Sequence, residues 1–267
     1  MKKMIALVLL AWAGSARAEI LFSDDFNSGA SSLWGNEVGA WSAGGGVYAA
    51  TAPGNMPNAI SSLPFNLTNF SVDFDINAVQ DGGIFLRSTV MPGTTFGVQG
   101  VALILKVPDG GPKIYWHVFT NGNDASIPLN IAYTDFGNNP HVHVEVSGAT
   151  YSAFLNGSST PATTLTTSAF ASGQIALYDF SSQTFDNFTL QVPAIAGKII
   201  RSKTVPSVLQ VSWQSTLGAW YQVQCTSGKG GHNWIDVGDP QPGTGSEMSA
   251  LVQVTPEQKF CRVKMFK

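Results

Sequence analysis

The sequence predicts an all-β protein built from two sandwich units behind a short leader. Three observations predict it. Apolar and polar residues alternate with period two through most of the chain, the pattern of half-buried strands. Twenty-eight glycines and 14 prolines punctuate 267 residues, which favours many turns over long helices. Stretches of helical period are absent after the first eighteen residues. Composition narrows the class further. Apolar residues make up 44% and charged residues 12%, against roughly 25% charged in an ordinary soluble domain. That balance excludes a disordered tail, a coiled coil and a charged linker protein.

The chain opens with Lys2 and Lys3, then an apolar run from Met4 to Ala13, then Ala16-Arg17-Ala18 ahead of Glu19. A basic start, a short apolar middle and a small-x-small cleavage site are the parts of a secretory signal peptide over residues 1–18. The run is about half of the ~20 apolar residues that a spanning helix needs. No later segment is long and apolar enough to span. The expected protein is therefore exported, secreted or periplasmic, with no membrane span. Without the leader's three basic residues, 11 basic face 17 acidic residues, a net −6. Such a surface repels phosphate backbones, so nucleic acid is not an expected partner.

The mature chain then reads strand by strand. Phe70, Val72, Phe74 and Ile76 alternate with Ser71, Asp73, Asp75 and Asn77. Ile114, Trp116 and Val118 make one face of a strand, and Tyr115, His117 and Phe119 the other. Val142, Val144 and Val146 alternate with His141, His143 and Glu145, and Phe188, Leu190 and Val192 with Thr189 and Gln191. Turn clusters separate these runs: Pro53-Gly54-Asn55, Asp81-Gly82-Gly83, Pro108 to Pro112 and Gly137 to Pro140. Short strands at this spacing predict a sandwich or jelly roll over residues 19–193. Pro193, Gly197, Lys198, Arg201 and Lys203 then read as a solvated linker, 194–205. A second strand series follows over 206–267: Leu209 to Trp213, Tyr221 to Cys225, Trp234 to Val237, Leu251 to Val254 and Phe260 to Met265. A unit so small benefits from a covalent staple.

Two resemblances sit on this frame. Phe22-Ser23-Asp24-Asp25-Phe26, Gly39-Ala40-Trp41, Gly46-Val47-Tyr48, FSVDFDI (Phe70 to Ile76), GGIFLRS (Gly82 to Ser88), FLNG (Phe154 to Gly157) and FDNFTL (Phe185 to Leu190) resemble the concanavalin-like/laminin-G jelly rolls. The pairing of FSVDFDI with GGIFLR is most similar to the keto-disaccharide hydrolase branch. That branch usually carries Asn-Ser-Gly where Asp81-Gly82-Gly83 stand here. Val211-Ser212-Trp213, Tyr221 to Gln224, Trp234 to Gly238 and Phe260 to Val263 resemble a fibronectin type III-like module of bacterial exported proteins. The first resemblance implies a carbohydrate ligand on the concave face of the jelly roll. It also places Arg87 on that face. The second implies that the strands of Cys225 and Cys261 are neighbours. Both cysteines share a face with core residues, and an exported protein meets an oxidising environment, so a Cys225–Cys261 disulfide is expected.

Candidate sites follow. An arginine inside a strand as apolar as GGIFLRS needs a partner or an open groove, so Arg87 with Tyr115 and His117 is the expected ligand-binding set; the competing reading of Arg87 is a buried ion pair or a surface residue. Asp24, Asp25 and Asp186 fall at the two ends of the first unit, where first and last strands meet. They are the candidate set for a structural Ca2+, the one cofactor considered, against the plainer reading of turn acceptors. His141, His143 and Glu145 share a strand face at a spacing of about 6.5 Å, which a metal could use, but the plainer reading is the polar face that a strand with Val on its other side needs anyway. The Glu-x-Asp-x-x-Glu strand of related glucanases is absent, as are nucleophile-elbow, P-loop and zinc-protease motifs. The expected function is an exported carbohydrate-binding protein. The alternatives are a glycoside hydrolase of the keto-disaccharide type and a structural or adhesive surface protein.

Overall fold

A computed structural model describes residues 18–267 apart from 108–110, 194–197, 202–207, 228–232, 254, 256–259 and 267. The expected leader lies, but for Ala18, outside the described residues. No helix of the described residues is long and apolar enough to cross a membrane.

Residues 19–193 form a two-layered β-sandwich. One sheet has eight strands, in the order Thr163–Thr166, Thr150–Leu155, His141–Ser147, Phe70–Asn77, Thr184–Val192, Val47–Ala50 and Trp41–Gly44. The eighth, Glu19–Asp24, pairs with Thr184–Val192, so the first and last strands of the unit are neighbours. The other sheet runs Leu129–Tyr133, Lys113–Thr120, Val98–Lys106, Asp81–Val90, Gly173–Asp179 and Ala59–Leu67, with Asp124–Ala125 added beside Lys113–Thr120. Period two does what it predicts on the first sheet. Val72, Phe74, Val142, Val144 and Leu190 are fully buried between the layers, while their neighbours face out. One irregularity keeps that inward face continuous. The register shifts between Asp186 and Thr189, Asn187 takes φ 50°, and the bulge turns both Phe185 and Phe188 inward although they are three apart. Trp34 and Trp41 fill the same core with Phe22, Phe26 and Tyr48.

The second sheet departs from simple alternation. Ile84, Leu86, Leu103, Leu105, Ile114 and Trp116 face the sandwich interior. The alternate residues Phe85, Ala102, Ile104, Tyr115, Phe119, Ala176 and Tyr178 are buried too, in a separate apolar cluster on the outer face. Near-continuous apolar runs such as GGIFL and VALIL are the sequence mark of strands covered on both sides.

The second unit consists of two three-stranded sheets, ordered Lys198–Arg201, Val208–Gln214, Glu247–Gln253 and Ile235–Pro242, Trp220–Thr226, Phe260–Phe266. Part of the expected linker is a strand. Lys198–Arg201 lies inside 194–205, yet it pairs along its length with Leu209 to Ser212 and so belongs to the second unit. Cys225 and Cys261 stand directly opposite each other on paired strands, with Cα atoms 4.1 Å apart, and form a disulfide. Closing a loop of 36 residues stabilises the fold by roughly 4 kcal/mol on the chain-entropy account. The two units touch: Gly218, at φ 88°, lies so close to Pro64 that a Cβ there would come within 2.7 Å of the Pro64 carbonyl.

Candidate functional site

The outer face of the seven-stranded sheet ends in a cavity of 220 Å³. Its floor comes from three adjacent strands. Asp81 opens Asp81–Val90 and stands opposite Lys106, with which it forms an ion pair. Tyr115 and His117 come from the next strand, two residues apart and on one face, their rings meeting edge-on at 5.3 Å. Phe96, Phe119 and Tyr178 wall it, and Asn55 and Asn58 reach it from the loop ahead of Ala59–Leu67. Phe85 joins the aromatic walls from beneath, edge-on to both Phe119 and Tyr178 at 5.1 and 5.6 Å.

Burial sets the protonation states. It lowers the His117 pKa below that of free imidazole, against the opposing pull of the Ser126 carbonyl and Asp81. His117 is therefore neutral at pH 7. Its Nδ1 lies 2.7 Å from the Ser126 carbonyl oxygen, which can only accept, so Nδ1 carries the proton and Nε2 keeps its lone pair. Burial, with help from Asp81, pushes the Tyr115 hydroxyl up to about 12, and burial raises Tyr178 as well. Both phenols stay protonated. Lys113 Nζ lies 5.5 Å from the centre of the Tyr115 ring. The site thus offers an imidazole acceptor, two phenolic hydroxyls, two amides and one ion pair among aromatic faces.

The expected ligand set is divided by the structure. Tyr115 and His117 line the cavity together; Arg87 does not. Alternation from Phe85 would send Arg87 outward with the cavity residues. Instead the register shifts between Leu86 and Thr89, and Arg87 takes φ 47°. The side chain turns to the end of the sandwich and is 2% exposed. Its guanidinium donates to the carbonyls of Thr68, Phe170 and Gly148 and to the Tyr151 hydroxyl, and lies over the Tyr151 ring at 5.2 Å. Arg87 therefore ties loops of both sheets together and is not among the residues that line this cavity. The signal for the bulge was in neighbouring glycines. A Cβ at Gly173 would sit 2.3 Å from the Arg87 carbonyl carbon, and one at Gly100 would sit 2.9 Å from Ser88 Cα.

The candidate calcium set takes part in local hydrogen bonds. Asp24 accepts from the Phe26 and Ser31 amides and from Trp34 Nε1, which occupies both its oxygens. Asp25 accepts from the Asn27 amide, and hydrogen bonds from Asn27 hold its carboxyl below the usual range. Asp186 accepts from the Asn187 amide. These are turn acceptors, and among the described residues no group of three His, Cys, Asp or Glu side chains is placed to hold an ion. The residues do not fit Ca2+. His141 and His143 pair instead with Asp75 and Asp73, each at 2.7 Å across the strand pair, and the Asp73 hydrogen bond raises His143.

Sequence reasoning missed Asp179. It is fully buried at the end of Gly173–Asp179, and burial pushes its carboxyl up to about 6. One oxygen accepts from the Ser181 amide, and the Gln183 and Ser182 amides also favour the carboxylate; the other oxygen, Ser181 Oγ and Gln183 Nε2 make no hydrogen bond among the described residues. Nothing in a lone Asp-Phe-Ser-Ser turn marks it. A larger cleft of 400 Å³ lies between the two units; among the described residues Tyr221 is its one titratable lining group, and its hydroxyl is occupied by the Thr216 amide.

No family model matches the sequence, and no curated protein matches it. Solved structures resemble it at a distance. A carbohydrate-binding module from Bacillus subtilis is 19% identical, with a TM-score of 0.41 over 51% of this chain and 83% of that one. A Bacillus subtilis protein of unknown function with a galectin-like fold is 8% identical, with a TM-score of 0.45 over 66% and 100%. A kappa-carrageenase from Zobellia galactanivorans is 11% identical, with a TM-score of 0.44 over 66% and 96%.

Proposed function

We propose that this chain is an exported carbohydrate-binding protein whose first unit, a concanavalin-like jelly roll, holds a glycan at the Tyr115–His117 cavity. The observation that carries the reading is the two-sided burial of the seven-stranded sheet, which ends in an aromatic-walled cavity floored by the Asp81–Lys106 pair. A sugar presents apolar C–H faces and a fringe of hydroxyls. Aromatic walls match the first, and His117 Nε2, the phenols and the amides match the second. Large apolar side chains are exposed on the surrounding segments: Met56, Val107, Ile127 and Tyr133, with Phe180 on the cavity itself. Such a rim supports a docking surface. The volume is below the roughly 300–1,000 Å³ of drug-sized sites, which suits one sugar residue or a chain end.

Hydrolysis needs two carboxylates flanking one bond. The cavity supplies one, Asp81, already tied to Lys106. The reading is therefore binding without turnover. The second unit reads as a fibronectin type III-like accessory module. Its support is the two three-stranded antiparallel sheets and the neighbouring cysteine strands. The disulfide itself supports export, since such bonds persist in oxidising compartments.

The test is a glycan array run with a hydrolysis assay on the same ligands. Tyr115→Ala removes an aromatic face and a hydroxyl, and is expected to weaken binding about tenfold or more. Turnover of a bound glycoside, or equal binding by the variant, overturns the proposal.

A further inference from the structure

The charges of this chain are divided unevenly between its units. Residues 19–197 carry 3 basic and 13 acidic side chains, a net −10, whereas residues 198–267 carry 8 basic and 4 acidic, a net +4. Such asymmetry between halves points to different partners. Within the basic unit one group of side chains is organised. Trp220, Gln222 and Gln224 alternate with the core residues Tyr221, Val223 and Cys225, so they lie on the outer face of their sheet. Across the strands on that face, Gln224 stands opposite both Asp236 and Arg262, and Gln222 opposite Lys264.

Arg262 is exposed, yet it is held. Its guanidinium lies 4.3 Å from the centre of the Trp234 ring. Its Nε and Nη2 donate to Gln224 Oε1 at 2.9 and 2.8 Å. Gln224 is fixed in turn by donating from Nε2 to Asp236 at 2.7 Å. The carboxylate thus orients the amide, the amide orients the guanidinium, and among the described residues no acid forms an ion pair with Arg262. Among the described residues Nη1 has no hydrogen-bond partner, which leaves it free in a fixed fork. A planar cation with its entropy already reduced is the group that recognises carboxylate or sulfate. Lys264 is two residues along the strand on the same side, about 6.5 Å away, and Trp220 is 42% exposed beyond it.

We infer that this face of the second unit is an additional binding site, for an anionic polysaccharide bearing carboxylate or sulfate groups, built on Arg262, Lys264 and Trp234. Two cations on a sheet face suit isolated anionic groups on a sugar chain. Nucleic acid, by contrast, is held through many phosphate contacts, and the −10 first unit opposes it. The exposed Trp220 gives a sugar ring a surface on which to lie.

Affinity electrophoresis of the whole protein tests this, with dextran sulfate, polygalacturonate or unmodified dextran in the gel. The first two are expected to retard the protein and dextran is not. Added salt is expected to weaken the retardation, because the site is exposed. Arg262→Gln should lower affinity for dextran sulfate about tenfold or more, the loss of a charge-assisted contact. Tyr115→Ala should leave it unchanged, which separates this site from the first-unit cavity. Lys264 has no such support role, so Lys264→Gln repeats the test if Arg262→Gln lowers the melting temperature. Equal retardation of wild type and the folded variants, equal retardation by neutral dextran, or retention by single-stranded DNA alone overturns the inference.

Discussion

Arg87 is a cation with no ion pair among the described residues, buried among carbonyls. Its five donor groups satisfy three backbone oxygens and the Tyr151 hydroxyl, so the charge is balanced by dipoles. Removing the side chain leaves those acceptors buried and unpaired, each costing about 1–3 kcal/mol. Arg87→Met should therefore lower unfolding free energy by several kcal/mol in urea denaturation, and Arg87→Lys should recover only part of it, because an ammonium lacks the fork. Loss of glycan affinity at unchanged stability would contradict this and return Arg87 to the cavity. The residue also marks what alternation can tell. Tyr115 and His117 were legible because Ile114 and Trp116 fix the parity of an unbroken strand. Arg87 was not, because a single left-handed residue resets parity and leaves no trace at its own position.

Elements behave similarly. The strands flanking the cavity carry apolar runs, Gly82 to Leu86 and Val101 to Leu105, whose burial on both faces period two alone did not reveal. Lys198–Arg201 was not legible: four residues with Ile199 and Ile200 adjacent give no period. The turn after Gly173–Asp179 carries the pH dependence of this region. The Asp179 pKa rises from 3.8 unfolded to about 6 folded because burial disfavours the carboxylate, and the amides of Ser181, Gln183 and Ser182 only partly offset this. Between those values the folded state holds more protons than the unfolded state. Stability from this group is thus greatest below about pH 4, falls as pH rises, and is fully lost above about pH 6. Asp179→Asn should raise the melting temperature at pH 8 and flatten the slope between pH 4 and 6. Parallel profiles for wild type and variant would show that the carboxylate is not the cause. Phe180 is the next residue and lines the cavity, so the same titration acts beside the proposed glycan site.

At the scale of the molecule, the question is whether the units stand or fall together. Their buried apolar residues form one continuous cluster, and Gly218 lies against Pro64. The seam is also partly open: the 400 Å³ cleft along it has Asn66, Thr68, Asn69 and Gln214 in its walls. The larger unit has a two-layered core of its own between its eight- and seven-stranded sheets. The smaller, some 70 residues with six strands, is in the size range where burial alone stabilises a fold marginally, and roughly 4 kcal/mol from its single cross-link is a large fraction of what such a unit possesses. Reduction, or Cys225→Ser with Cys261→Ser, should therefore act on one unit only. Calorimetry is expected to show two transitions, with that of the second unit moving down by many degrees or vanishing and that of the first holding still. The double variant should still bind glycan through the Tyr115 cavity while losing the Arg262 face. A single transition that shifts as one would mean that the apolar part of the seam outweighs its open part, and that the two units fold as a single cooperative body.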